Sequence, residues 1–236
     1  MNKIKAILFD LDGTLLPMDM DKFTADYMKR LCAYLAPRGY EPSLIAEAMW
    51  HGISAMVRND GTRTNEQAFW DVFTKRFGEK AINEKDALVD FYRTEFPKVQ
   101  SSCGYTTKAK EAVDAVKAMG YRVILATNPL FPAMATEHRI RWAGFEPSEF
   151  EFFTAYEESR HCKPNLDYYR DVLSLASLSA EECLMVGNDA EEDMIAEKLG
   201  MKVFLLTDCL LNKKEIDISE YPQGSFEELT EYVKSL

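Results

Sequence analysis

The chain has 236 residues, 47% of them hydrophobic and 28% charged, with a formal net charge of -11 and a sequence pI near 4.9. That balance predicts a globular protein with a substantial core, and it disfavours nucleic acid or an anionic membrane as the main partner because both call for a basic surface. The cysteines Cys32, Cys103, Cys162, Cys183 and Cys209 stand at scattered spacings with no CxxC, so neither a zinc site nor a disulfide framework is signalled, and reduced thiols in the cytoplasm are expected.

The apolar run after the basic start Met1-Asn2-Lys3-Ile4-Lys5 is too short for a signal peptide, and no run approaches transmembrane length. Ala6-Ile7-Leu8-Phe9 is apolar without alternation, which predicts a strand buried on both faces of a parallel sheet. Asp10-Leu11-Asp12-Gly13-Thr14 follows at once. Its two carboxylates fall at the carboxyl end of the strand, where open α/β sheets bind ligands. Residues i and i+2 of an extended chain share a face, so the pair needs a cation between its members or a proton on one of them. Magnesium, a hard cation that takes oxygen ligands, is the expected ion. Gly13 permits a sharp departure of the backbone.

From about Asp19 to Phe96 the pattern is helical throughout. One helix is expected from about Asp21 to Ala36, stopped by Pro37-Arg38-Gly39, and a second from Pro42. A third opens on the capping box Thr64-Asn65-Glu66-Gln67, and a fourth runs from about Glu84 to Phe96. Amphipathic helices of this kind pack as a small bundle, read here as an inserted domain over residues 17–99. The polar loop Arg58-Asn59-Asp60-Gly61-Thr62-Arg63 between two of them is either a solvated loop or a substrate-reading one.

Strands and helices then alternate. A helix is expected over Thr107 to Met119, a strand over Tyr121 to Ala126, a helix from about Pro132, and a short strand over Glu151 to Ala155. A helix follows Lys163-Pro164, a strand covers Cys183 to Val186, and a helix covers Ala190 to Leu199. Lys202 to Leu206 is the last clear strand, and Ser225 to Glu228 caps a final helix. The expected fold is α/β: a doubly wound parallel sheet, built from residues 1–16 and 100–236, carrying the inserted helical domain.

Several strand ends or helix starts carry chemistry. Thr127-Asn128 offers a hydroxyl and a backbone N–H to a phosphate oxygen, Lys163 offers a cation, and Gly187-Asn188-Asp189 with Asp193 offers metal-binding oxygens. Alone, each reads as an ordinary turn or a solvated charge. Together with Asp10 and Asp12 they supply, at one sheet edge, a nucleophile, an acid, a hydroxyl donor, a cation and a metal site for phosphoryl transfer.

On these residues the chain resembles the haloacid dehalogenase-like hydrolases over its whole length. Asp10-Leu11-Asp12-Gly13-Thr14 looks like the first family motif, Leu125-Ala126-Thr127-Asn128 the second, Lys163-Pro164 the third, and Val186-Gly187-Asn188-Asp189 with Asp193 the fourth. The helical insertion looks like an α-helical cap of the first type, joined by a hairpin at about Leu15 to Met20. The resemblance implies that Asp10 attacks phosphorus to form an aspartyl-phosphate and that Asp12 is general acid and base. It implies Mg2+ on the Asp10 carboxylate, the Asp12 carbonyl and a fourth-motif side chain, with Thr127, Asn128 and Lys163 holding phosphoryl oxygens. Where many members have Gly-Asp, this chain has Gly187-Asn188, so either Asn188 or Asp189 ligates; the better oxygen donor, Asp189, is preferred. Asp193 and Thr14 are expected as supporting residues behind these. Asp12 argues for phosphate rather than halide chemistry, since dehalogenase members typically lack it. The expected activity is an Mg2+-dependent phosphatase of a small phosphorylated metabolite. A phosphoglucomutase-like mutase, or a non-catalytic receiver-like phosphate-binding domain, is the alternative. A phosphonatase would need a cap lysine, for which Lys22 and Lys29 are candidates by position alone.

Overall fold

In the computed structural model, which describes residues 3–78 and 85–236, the strands form one parallel sheet. β1 (Ala6–Phe9), β2 (Arg122–Leu125), β3 (Cys183–Gly187), β4 (Lys202–Leu206) and β5 (Gln223–Gly224) lie in the order β2-β1-β3-β4-β5. Every pairing is parallel. The first strand of the chain is therefore interior, flanked by β2 and β3, which explains why its residues Ala6 to Phe9 are all buried and none alternates with a polar one.

Alternate residues of the strands supply two cores. Ile7, Phe9, Val123, Leu125, Leu184, Val186, Phe204 and Leu206 belong to one apolar cluster. Ala6, Leu8, Ile124, Ala126, Met185, Val203 and Leu205 belong to the other, with Tyr168, Tyr169 and Val172 packed on them. This period-2 division is the physical basis of the doubly wound layout: each sheet face carries its own helical layer. The helices of the sheet region are α5 (Thr107–Ala118), α6 (Ala133–Trp142), α7 (Leu166–Ala176) and α8 (Phe226–Lys234).

The segment between β1 and α5 holds α1 (Met20–Leu35), α2 (Pro42–Val57), α3 (Asn65–Phe77), α4 (Lys85–Thr94) and a 3-10 stretch Phe96–Ser102. Asp19 caps α1 through its side chain, and the Thr64–Gln67 capping box opens α3 as expected. The expected start of the fourth helix at Glu84 lies outside the described residues. The apolar cluster of one sheet face continues without a break into this segment through Phe23, Tyr27, Phe91 and Phe96. Phe131, in the loop after β2, meets Tyr27 with ring centroids 5.4 Å apart and Phe23 at 6.0 Å.

Two expected elements differ. Residues 151–155 form no strand; a lone bridge pairs Leu125 with Phe153 at the sheet edge. The expected helix over Ala190 to Leu199 is a turn followed by a 3-10 stretch, Met194–Leu199. Its first turn is tightened by Asp189, whose carbonyl accepts from the Asp193 N–H and whose Oδ1 accepts from the N–H groups of Glu191 and Glu192. β5 was not anticipated, because two residues are too short to carry a period.

Candidate active site

The site is set by strand register. Phe9 stands opposite Leu125 on one side and Val186 on the other, so β1, β2 and β3 end together. The ladder runs one residue further, with Asp10 N–H donating to the Val186 carbonyl at 2.9 Å and Ala126 N–H donating to Phe9 at 2.7 Å. Asp10, Thr127-Asn128 and Asn188-Asp189 therefore emerge side by side. Leaving β1, the chain turns back on itself: Leu16 N–H donates to the Leu11 carbonyl and Gly13 N–H to Leu16, each at 2.8 Å. Gly13 has φ +82°, and a Cβ there would collide with the Asn188 side chain. Glycine is required on both counts.

Asp10 is buried, and its two oxygens have different partners. Lys163 Nζ donates to Oδ1 at 2.9 Å and to Asp193 Oδ1 at 2.6 Å. Burial works against the charge on Lys163, but Asp10 and Asp193 outweigh it and hold its ammonium well above the usual lysine range. Thr14 Oγ1 lies 3.0 Å from Asp10 Oδ2 and 2.9 Å from Asn188 Oδ1, so its one hydrogen serves one oxygen at a time. Asn188 is fixed in this orientation because its Nδ2 donates to the Cys209 carbonyl at 2.7 Å. Asp189 faces differently: its Oδ1 caps the turn at Glu191 and Glu192. This placement favours Asn188 as the fourth-motif oxygen beside Asp10, the reverse of the preference read from donor chemistry alone.

Asp12 has a partner that the sequence did not indicate. Arg139 of α6, with no exposed surface, pairs its Nη1 with Asp12 Oδ2. The guanidinium also donates to Thr136 Oγ1 at 3.1 Å and lies over the Phe131 ring at 4.5 Å. Asp12 Oδ1 is buried without a hydrogen-bond partner. Burial pushes the Asp12 carboxyl up to about 6, with Arg139 opposing the rise. One oxygen is thus anchored by Arg139, and the other has no hydrogen-bond partner.

The other expected residues fall around a cleft of about 630 Å3 that Asp10, Asp12, Thr127, Asn128, Asn188 and Asp189 line. The Thr127 carbonyl accepts from Thr154 Oγ1 at 2.6 Å and from the Tyr168 hydroxyl at 2.9 Å, which fixes the loop after β2. Asn128 Nδ2 donates to Glu192 Oε2 at 2.8 Å, and its Oδ1 is buried without a partner. Burial pushes the Glu192 carboxyl up to about 8, with Lys163 opposing the rise. Lys163 is buried against Asp10 and is not itself among the residues that line the cleft. Lys213 and Lys214, in the segment after β4, line the cleft mouth. The loop Arg58 to Arg63 is not in the cleft wall. It docks on the sheet region instead: Asn59 Nδ2 donates to Asn65 Oδ1 at 2.9 Å, and Asn65 Nδ2 reaches the Pro129 and His161 carbonyls at 3.3 Å. Lys22 and Lys29 are not in the cleft wall either.

Arg139, Glu192, Lys213 and Lys214 were missed from the sequence. For Arg139 a signal existed: it shares the buried face of α6 with Ala135, Thr136, Ile140 and Trp142, and a charge on an apolar stripe needs a buried partner. Glu192 and the lysines carry no such mark, because only the turn after β3 and the path of the chain after β4 bring them to the cleft.

The hard oxygens of Asp10 and Asn188, brought to either side of one hydroxyl, fit Mg2+. Among the described residues no cage of three Asp, Glu, His or Cys side chains exists. Magnesium does not need one, since it keeps several waters and takes one or two protein carboxylates plus substrate phosphate. Among the described residues, no helix is long and apolar enough to cross a membrane.

A family model described as a haloacid dehalogenase-like hydrolase matches residues 4–199. The chain is 22% identical over 200 residues to the pyrophosphatase PpaX of Bacillus cereus (strain ATCC 10987 / NRS 248), covering 85% of this chain and 82% of that protein. Among solved structures, a predicted phosphoglycolate phosphatase from Haemophilus somnus 129PT superposes with a TM-score of 0.60 at 18% identity, covering 98% and 99% of the two chains. A 2-haloacid dehalogenase from Pseudomonas syringae pv. Tomato DC3000 superposes with a TM-score of 0.64 at 20% identity, covering 98% of each. At these identities the structural likeness carries the fold, and the chemistry has to be argued from the site.

Proposed function

We propose that this chain, which belongs to the haloacid dehalogenase-like hydrolase family, is an Mg2+-dependent phosphatase of a small phosphorylated molecule rather than of nucleic acid or a membrane component. The observation that carries this reading is the unequal pair of carboxylates: Asp10 meets the buried Lys163 ammonium, while Asp12, pushed up to about 6 by burial, has an unpartnered oxygen. Two carboxyl groups separated in this way suit a nucleophile and an acid. Asp12 also favours phosphate over halide chemistry, because a halide leaves as a stable anion that needs no proton.

Asp10 forms the bond to phosphorus as the bond to the leaving oxygen breaks, and Asp12 delivers its proton to that oxygen. Water then attacks the aspartyl-phosphate, Asp12 takes the proton back, and phosphate leaves with Asp10 restored. Lys163, the Thr127 hydroxyl and the Asn128 N–H offset charge on the phosphoryl oxygens. Asp10, the Asp12 carbonyl and Asn188 would hold Mg2+, with Asp189 close behind, and the ion supplies charge neutralisation on the transferring group. Residues 17–99 serve as a cap over a core formed by 1–16 and 100–236. In support, α1 and α2 contribute Met20, Asp21, Thr24 and Trp50 to the cleft wall. The test is hydrolysis of p-nitrophenyl phosphate with Mg2+. Turnover is expected to stop with EDTA and in Asp10→Asn, with the circular dichroism of the variant unchanged. Undiminished turnover in that variant overturns the mechanism.

A further inference from the structure

Beside the polar cleft lies a second cavity of about 310 Å3, between the helical segment and the loop after β2. The two share Met20, Thr24, Trp50, Leu130 and Phe131 as walls, so they lie side by side. Its chemistry is the opposite. Phe23, Met28, Met49, Ile53, Leu88 and Phe69 line it. Several polar groups that reach it are committed to protein partners: the Tyr27 and Tyr92 hydroxyls bond each other at 2.9 Å, and Lys85 meets Glu66 at 2.6 Å. Glu157 accepts the Ala133 N–H on both oxygens at 3.0 Å. The Trp70 indole N–H is buried there without a partner, a single donor in a wall that is otherwise mainly apolar and poorly suited to the several hydroxyls of a sugar. Trp50 stands at the shared mouth with 52% of its surface exposed, although a tryptophan gains most when covered.

We propose that this cavity receives the leaving group of the substrate, and that the substrate class is the phosphate monoester of a hydrophobic, aromatic alcohol. The inference rests on the phosphatase reading for the phosphate end and on the cavity for the other. An engineered apolar cavity of roughly 150 Å3 accepts one benzene ring, so a space of about 310 Å3 takes a group of two fused rings. Hydrolysis adds water across the phosphorus–oxygen bond, releasing inorganic phosphate and the free alcohol, and the alcohol leaves past Trp50.

The test compares 2-(2-naphthyl)ethyl phosphate with ethyl phosphate, which share an alkyl leaving oxygen and differ only in the apolar group. kcat/KM is expected to favour the naphthyl ester by about 100-fold, each tenfold step being about 1.4 kcal/mol. Ile53→Trp, which fills the cavity, is expected to cut that ratio about tenfold, through a rise in KM for the naphthyl ester. Binding of the corresponding 3-(2-naphthyl)propyl and propyl phosphonates, measured by calorimetry on the wild-type protein, reads the cavity without turnover or a variant. Equal kcat/KM for the two esters together with equal phosphonate affinities overturns the inference and leaves the phosphatase reading intact. Tight naphthyl phosphonate binding with no hydrolysis of either ester supports the cavity assignment and overturns the phosphatase reading instead.

Discussion

Arg139→Met isolates the buried partner of Asp12. The side chain of Arg139 has no exposed surface and pairs with an aspartate whose other oxygen has no partner. Removing one member of a buried pair costs roughly 3–5 kcal/mol when the remaining charge must stay. Asp12 can instead take a proton, and its value of about 6 says when. The folded-state value lies above the ordinary 3.8, so the group lowers stability as pH rises from about 4 through about 6. Without Arg139, the larger opposing charge is gone and only Lys163 still opposes the rise, so the value climbs further and the loss of stability extends to higher pH. The expected cost of Arg139→Met is therefore below ~1 kcal/mol near pH 5, where Asp12 is already protonated, and ~3 kcal/mol near pH 8. Urea unfolding in EDTA at a series of pH values measures both. Asp12→Asn combined with Arg139→Met should remove the growth of the cost with pH. A loss that is the same at every pH, or a double variant with the slope of the single, would show that Arg139 acts only by packing over Phe131.

Three further outcomes test the site. Asn188→Ala should raise the Mg2+ concentration needed for half-maximal activity at least ~10-fold, and more than Asp189→Ala does, because only Asn188 sets its side-chain oxygen beside the hydroxyl that also meets Asp10; the opposite order returns the role to Asp189. In EDTA, the apo protein should lose stability as pH rises from about 5 to about 8, because the Glu192 carboxyl is pushed from 4.5 up to about 8 by burial. Glu192→Gln should flatten that slope by on the order of 1–2 kcal/mol in denaturant titrations, and an unchanged slope refutes the assignment. Gly13→Ala should destabilise the fold by roughly 1–3 kcal/mol and weaken Mg2+ binding in parallel, since a methyl at φ +82° strikes Asn188; isothermal titration and thermal melts check the pair.

Part of the site was legible because it is written in contiguous residues. Asp10, Asp12, Thr127, Asn128, Asn188 and Asp189 each follow an apolar strand within three residues, so finding the strand found the residue. The supporting positions of Asp193 and Thr14 were also readable: Asp193 meets Lys163 and Thr14 meets Asp10. The choice between Asn188 and Asp189 was not, because donor strength favours a carboxylate while the Cys209 carbonyl, distant in sequence, fixes where the amide oxygen points. The 3-10 stretch after the fourth motif was misread as a helix because its composition is helical and the Asp189 contacts that open it, a side-chain cap and an i−4 bond, are those of an α-helix start.

The chain by itself determined the sheet, its parallel sense, the helical insertion and the order in which chemical groups arrive at the sheet edge, since hydrophobic period and strand-end chemistry are local properties. Only the tertiary structure decided which groups meet. Arg139 reaches Asp12 across 127 positions, and Lys163 reaches Asp10 across 153. The apolar cavity exists because α1, α2 and the loop after β2 happen to face one another. Partners of this kind are fixed by packing, which places distant residues in contact without leaving a pattern in either stretch of sequence.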